Sequence, residues 1–174
     1  MQTSIPGSIA PHGYSMEASP ANLCLNRPKT SVEAENKQVV KRIWNELVNG
    51  SCRESLTELV GTAFVDRAPL PGLSSDFDGL CVRLDVLHRA FPDFHSTIMD
   101  LIAEDDKVVA VVESTGTHRG DFLGMPATGR RFTIQEIQIL RILDGKMVEH
   151  WQVADVYGML VQLGFANSPS TAAR

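Results

Sequence analysis

Asp155 closes an apolar run that also holds Trp151 and Val153, and on a regular strand these three residues share one face. A carboxylate set beside an indole and an aliphatic side chain loses water. That disfavours its charged form and makes it a better base near neutral pH. The same residue precedes a short helical pattern, so it also reads as a helix N-cap, and the two roles are compatible. His118 sits in Gly116-Thr117-His118-Arg119-Gly120. A neutral imidazole there could polarise a carbonyl or pass a proton; equally, it could hold a turn through backbone hydrogen bonds. Trp151 reads as a pocket wall or as plain core. His150, of opposite parity, is expected on the outer face of the sheet, at a subunit contact. Arg141 shares parity with Gln135, Ile137 and Ile139 and either reaches the cavity or pairs with an acid. Glu113 and Glu136 are expected on the solvated face of their strands.

The elements that must position these groups follow from periodicity. Thr30 with Glu33 fits a capping box, after which Val40, Ile43, Trp44 and Leu47 recur at helical spacing up to Gly50. Ser51 with Glu54 opens a second short helix ending at Gly61, and residues 62–67 read as a brief strand. A third helix starts at Ser75 or Asp76 and presents Leu80, Leu84, Leu87 and Phe91 on one face until Pro92 ends it. The period then changes to two. Strands are predicted over residues 95–103, 107–117, 131–142 and 146–155, with a hairpin at Asp144-Gly145. A last helix carries Val156, Met159, Leu160 and Leu163 and stops at Gly164. Helices first and antiparallel strands afterwards predict an α+β fold with the helices on one face of a curved sheet. Residues 1–29, rich in proline and without period, are expected to form a disordered tail, 30–164 the folded domain, and 165–174 a frayed end.

Composition narrows the partners. A net charge of −5 lacks the basic stripe a nucleic-acid binder needs, and no apolar run approaches the roughly 20 residues that span a bilayer. Cys24, Cys52 and Cys81 are odd in number and widely spaced, which suits reduced thiols in a cytoplasmic protein and offers no zinc spacing.

The second half of the domain carries a longer string. The segment from Gly116 to Gly120 is followed by Phe122-Leu123-Gly124, then Pro126-Ala127-Thr128-Gly129-Arg130. After it come Asp144-Gly145-Lys146, Glu149-His150-Trp151, Asp155 and Gln162-Leu163-Gly164. Upstream, Asn36-Lys37, Phe64-Val65-Asp66 and Ala90-Phe91-Pro92-Asp93 fall at matching positions. Over about residues 35–164 the chain resembles the SnoaL-like polyketide cyclases, or ester cyclases, of the nuclear-transport-factor-two-like superfamily.

The resemblance implies a cone-shaped α+β barrel with a pocket at its wide end, and frequent association into homodimers. It implies cofactor-free, metal-free, intramolecular aldol-type closure of a small hydrophobic carbonyl substrate, with Asp155 as general acid/base and His118 assisting. Trp151, Val153, Phe64, Phe91, Phe122 and Arg67 would line the substrate site. Arg67 is a departure, because relatives usually carry a histidine there. Arginine stays charged at neutral pH, so it would bind a carboxylate or enolate oxygen, or pair with an acid. That change keeps two alternatives in view: an isomerase or epoxide-hydrolase-type enzyme using the same pocket, and a non-catalytic small-molecule binding domain.

Overall fold

A computed structural model describes residues 31–50 and 53–168. The expectations for residues 1–29, for Thr30, Ser51, Cys24 and Cys52, and for the last six residues lie outside the described part. Helix α1 (Ser31–Ile43) runs into a π-helical turn, Trp44–Val48, and α2 (Arg53–Leu59) leads directly into β1 (Val60–Asp66). Helix α3 (Phe77–Ala90) follows, with Asp76 as its N-cap accepting from the Gly79 amide. The strands β2 (His95–Glu104), β3 (Lys107–Thr117), β4 (Arg131–Leu143) and β5 (Lys146–Ala154) come next, and α4 (Val156–Leu163) ends the domain.

The expected α+β architecture is present: one five-stranded, curled sheet in the order β1-β5-β4-β3-β2 with the helices packed on it. Strands β2 to β5 are antiparallel neighbours, whereas β1 joins the edge parallel to β5. At the β4–β5 turn both Asp144 (φ 49°) and Gly145 (φ 73°) adopt the left-handed conformation that a two-residue hairpin requires. The core has two parts. One packs Val40, Ile43, Trp44, Leu47 and Leu59 against Val108, Val112 and Leu140. The other gathers Phe91, Phe122, Phe132, Met159 and Leu163 near the opposite end of the sheet. The chain after Gly164 does not fray at once: the Phe165 amide bonds to the Leu160 carbonyl, and the Tyr157 hydroxyl donates to the Asn167 carbonyl.

A bulge in β5 decides which residues face inward. Ile142 pairs with Met147, but the next partner of β4, Arg141, pairs with Glu149, so Val148 is one residue in excess. Counting by twos from the buried Met147 would bring Trp151, Val153 and Asp155 inside. The extra residue reverses that parity and brings in His150, Gln152 and Ala154.

Candidate active site

Between the two core clusters lies a cavity of about 490 Å³. Its apolar walls include Trp44, Leu80, Leu87, Phe94, Phe122 and Met159. The sheet supplies a polar floor arranged as a diagonal. Ser96 of β2 pairs with Ser114 of β3, and Ser114 with Ile134 of β4. One step along the same face stands Glu136, paired with Ala154; the next step is Gln138, paired with Gln152; the next is Leu140, paired with His150. His150 in turn pairs with Asp66 at the end of β1. The polar side chains therefore cross the sheet from Ser96 to Asp66 in one oblique band.

These groups are linked. Gln138 donates through Nε2 to Glu136 Oε2 at 3.2 Å, and the Gln152 amide donates to the same oxygen. Among the described residues Glu136 Oε1 has no hydrogen-bond donor, although the residue is 94% hidden and lines the cavity. His150 Nε2 lies 3.0 Å from Gln138 Oε1, and its Nδ1 lies 3.1 Å from Asp66 Oδ1. Arg83, reaching in from α3, donates to Asp66 Oδ2 at 3.3 Å, and the Ala68 amide donates to Oδ1 at 2.9 Å.

Burial is the largest influence on His150 and pushes its pKa down; Asp66 opposes that shift and Arg83 reinforces it. For Asp66, burial alone would raise the pKa. The hydrogen bond and charge of His150, the Ala68 amide and Arg83 together outweigh burial and hold Asp66 below its ordinary value. The result is a carboxylate held in its charged form behind a buried imidazole whose own pKa is pushed down.

The sequence-predicted site residues are not brought together. Asp155 is exposed, caps α4 by accepting from the Gly158 amide at 2.8 Å, and is not among the cavity-lining residues. Its expected place in an apolar pocket is not observed: beyond the β5 bulge the carboxylate lies at the surface and caps α4. Trp151 pairs with Ile139 on the outer face, where the Lys107 ammonium lies 5.8 Å from its ring, and Val153 beside it is 75% exposed. Neither lines the cavity. His150, expected outside, is inside for the same reason.

His118 is fully buried behind the cavity wall, between Phe91 at 5.3 Å and Phe165 at 5.7 Å, with Nδ1 3.3 Å from the Thr128 hydroxyl. Its backbone bonds to Arg130 and Gly129, so it holds the loop. Phe91 and Phe64 are core residues away from the lining, and Phe122 alone of the expected aromatics reaches the cavity. Arg67 follows the inward Asp66 and so points outward, half-exposed, to pair with Glu149.

Sequence reasoning missed Glu136, Gln138, Gln152, Asp66, Arg83 and the two serines. The available signal was parity on β4, where Phe132, Ile134, Leu140 and Ile142 are the buried set and Glu136 and Gln138 fall in step with them. That signal is faint because Ile137 and Ile139 make the opposite face apolar too.

Comparison with known proteins gives the setting for this geometry. The profile of the SnoaL-like polyketide cyclase family matches residues 38–163. Aklanonic acid methyl ester cyclase DnrD of Streptomyces peucetius is 49% identical over 49 residues, which are 28% of this chain and only 34% of that cyclase. IdmH of Streptomyces antibioticus is 30% identical, with a TM-score of 0.65 over 74% of this chain and 98% of its own. A SnoaL-like protein of Jannaschia sp. CCS1 superposes with a TM-score of 0.73 over 82% of this chain and 100% of its own; at 20% identity it speaks for the fold alone.

Proposed function

The chain belongs to the SnoaL-like polyketide cyclase family, and on that premise we propose that it closes a carbon–carbon ring within a small, hydrophobic, polyketide-like carbonyl substrate, without a cofactor and with Glu136 as general base. One observation carries the assignment. Glu136 is a carboxylate on the cavity floor whose Oε2 is held by two glutamine amides while Oε1 has no donor among the described residues. A carboxylate held in this way is oriented, yet keeps one oxygen ready to take a proton.

In the proposed reaction Glu136 removes a proton from a carbon flanked by carbonyls. The enolate carbon then attacks a ketone carbon of the same molecule, and the ketone oxygen becomes an alkoxide. The proton returns from Glu136 to that oxygen, so the product is an isomer of the substrate and no other reactant is needed. The apolar walls select a folded conformer, an effect that can be worth roughly 7 kcal/mol or more. Gln138 and Gln152 orient the base, and the Asp66–His150–Arg83 group fixes Gln138 from behind. The apolar outer face of the sheet, where Ile137 and Val153 are exposed, supports the expected pairing of two copies.

The test uses aklanonic acid methyl ester, the compound in the name of the Streptomyces peucetius relative. The wild-type protein should cyclise it, and Glu136→Gln should slow turnover by about 10²–10⁴-fold, the usual weight of a general base. Wild-type turnover in Glu136→Gln would remove Glu136 from the chemistry. A second reading, an isomerase that moves a proton without forming a carbon–carbon bond, is favoured by His150 and Glu136 being bridged through Gln138. A product with a shifted double bond and no new ring would select it.

A further inference from the structure

The other end of the polar diagonal has no part in proton removal, yet it is built with care. Ser96 and Ser114 face each other across β2 and β3, both line the cavity, and they are 2% and 1% exposed. Trp44 Nε1 donates to Ser96 Oγ at 3.0 Å, and the two hydroxyl oxygens are 3.1 Å apart. Asn49 grips the Ser96 backbone on both sides, accepting from its amide at 2.7 Å and donating to its carbonyl at 2.8 Å.

Counting hydrogens shows what this cluster lacks. An indole N–H can only donate, and each hydroxyl brings one hydrogen. Three polar hydrogens therefore serve two contacts. With Ser114 donating to Ser96, the Ser96 oxygen is doubly occupied as an acceptor and its own hydrogen is left over. With the bond reversed, the Ser114 hydrogen is left over. Either way one hydroxyl hydrogen finds no acceptor among the described residues, beside a cavity walled mostly by apolar side chains. Such a group calls for an acceptor brought by a ligand.

We infer that the Ser96–Ser114 pair is a carbonyl subsite, whose unspent hydroxyl hydrogen is donated to the ketone oxygen of the bound substrate. The inference rests on the cyclase reading for its role in turnover, but not for binding. Ser114 and Glu136 are diagonal neighbours on one face of β3 and β4, with backbones on the order of 7–8 Å apart. A folded substrate can therefore lay its acidic carbon over Glu136 and its ketone oxygen over the serines. As the new carbon–carbon bond forms, the carbonyl π pair moves onto that oxygen and the serine hydrogen bond strengthens. The proton that completes the product hydroxyl still comes from Glu136, and the serine keeps its own. Trp44 and Asn49 hold the donor in place beforehand, which is what makes such a group effective in a transition state.

The experiment pairs two flat apolar probes, anthraquinone and anthracene, which differ in their carbonyl oxygens. The double variant Ser96→Ala/Ser114→Ala should weaken anthraquinone binding about tenfold and leave anthracene binding unchanged, as expected for one lost hydrogen bond. With aklanonic acid methyl ester the same variant should lower kcat by about 10²–10³-fold with little change in KM, the usual effect of losing an oxyanion donor. Ser114→Ala alone keeps one free hydroxyl hydrogen and should cost far less. Equal weakening of both probes, or an unchanged kcat in the double variant, would overturn the subsite. Because the double variant strands the Trp44 N–H and so weakens the fold, wild-type protein supplies an independent measurement: the carbonyl stretch of bound anthraquinone should fall to lower frequency, and an unshifted band also overturns the proposal. Glu136→Gln separates the two readings, since it should slow turnover by about the same 10²–10⁴-fold while keeping the preference for anthraquinone over anthracene.

Discussion

The Asp155 carboxylate accepts a hydrogen bond from the Gly158 amide at 2.8 Å, and this contact turns it along α4 and away from the cavity that Ala154 and Val156 help to line. An acid that a strand pattern places in the pocket is thus a helix cap. Asp155→Ala should lower stability by about 1 kcal/mol, the usual value of an N-cap, and leave turnover of the cyclase substrate intact. Urea unfolding and steady-state kinetics on one preparation check both halves. A large fall in kcat without loss of stability would return Asp155 to the chemistry.

The buried Asp66–His150 pair predicts how stability depends on pH. Both groups have folded-state pKa values below their ordinary 3.8 and 6.5, so the unfolded chain binds more protons through each window. Stability should therefore fall as pH drops below about 6.5, while His150 is forced to charge against burial and Arg83, and fall again below about 3.8 as Asp66 is protonated. Asp66 from β1, Arg83 from α3, and Gln138 and Glu136 from β4 are the polar groups around the imidazole. Denaturant midpoints at about pH 7.5 and about pH 5.5 should differ in the wild-type protein and converge in His150→Gln. Equal slopes in the two proteins would contradict this origin. Asp66→Ala, which strands Arg83 in a buried site, should cost about 3–5 kcal/mol at neutral pH.

Arg67, expected at the substrate site, pairs with Glu149 and is absent from the cavity lining. Half-exposed ion pairs contribute little, so Arg67→Ala should change stability by about 1 kcal/mol or less and leave kcat and KM unaltered. A tenfold rise in KM would mean that the arginine reaches the substrate after all.

Local chemistry in the chain was enough for most of the architecture. The third helix begins where Asp76 can cap it, the β4–β5 hairpin turns at Asp144-Gly145, and Gly164 stops the last helix in the left-handed conformation. Each of these depends on residues within a few positions of one another, so each is legible in order. The helices-then-strands pattern and the family motifs did the rest, and the α+β cone follows from them.

The site was decided elsewhere. Val148 carries no mark of a bulge, because its presence shows only when Met147 and Glu149 are matched against Ile142 and Arg141 of the neighbouring strand. That single surplus residue moves Asp155, Trp151 and Val153 out of the cavity and draws His150 and Gln152 in. Asp66 meets His150 only because β1 joins the sheet parallel to β5, and Ser96 meets Trp44 only when α1 and its π-helical extension lie across β2. Strand parity is a one-bit property that one residue can invert, and with apolar side chains on both faces of β4 and β5 nothing short of the pairing register could choose between its two values.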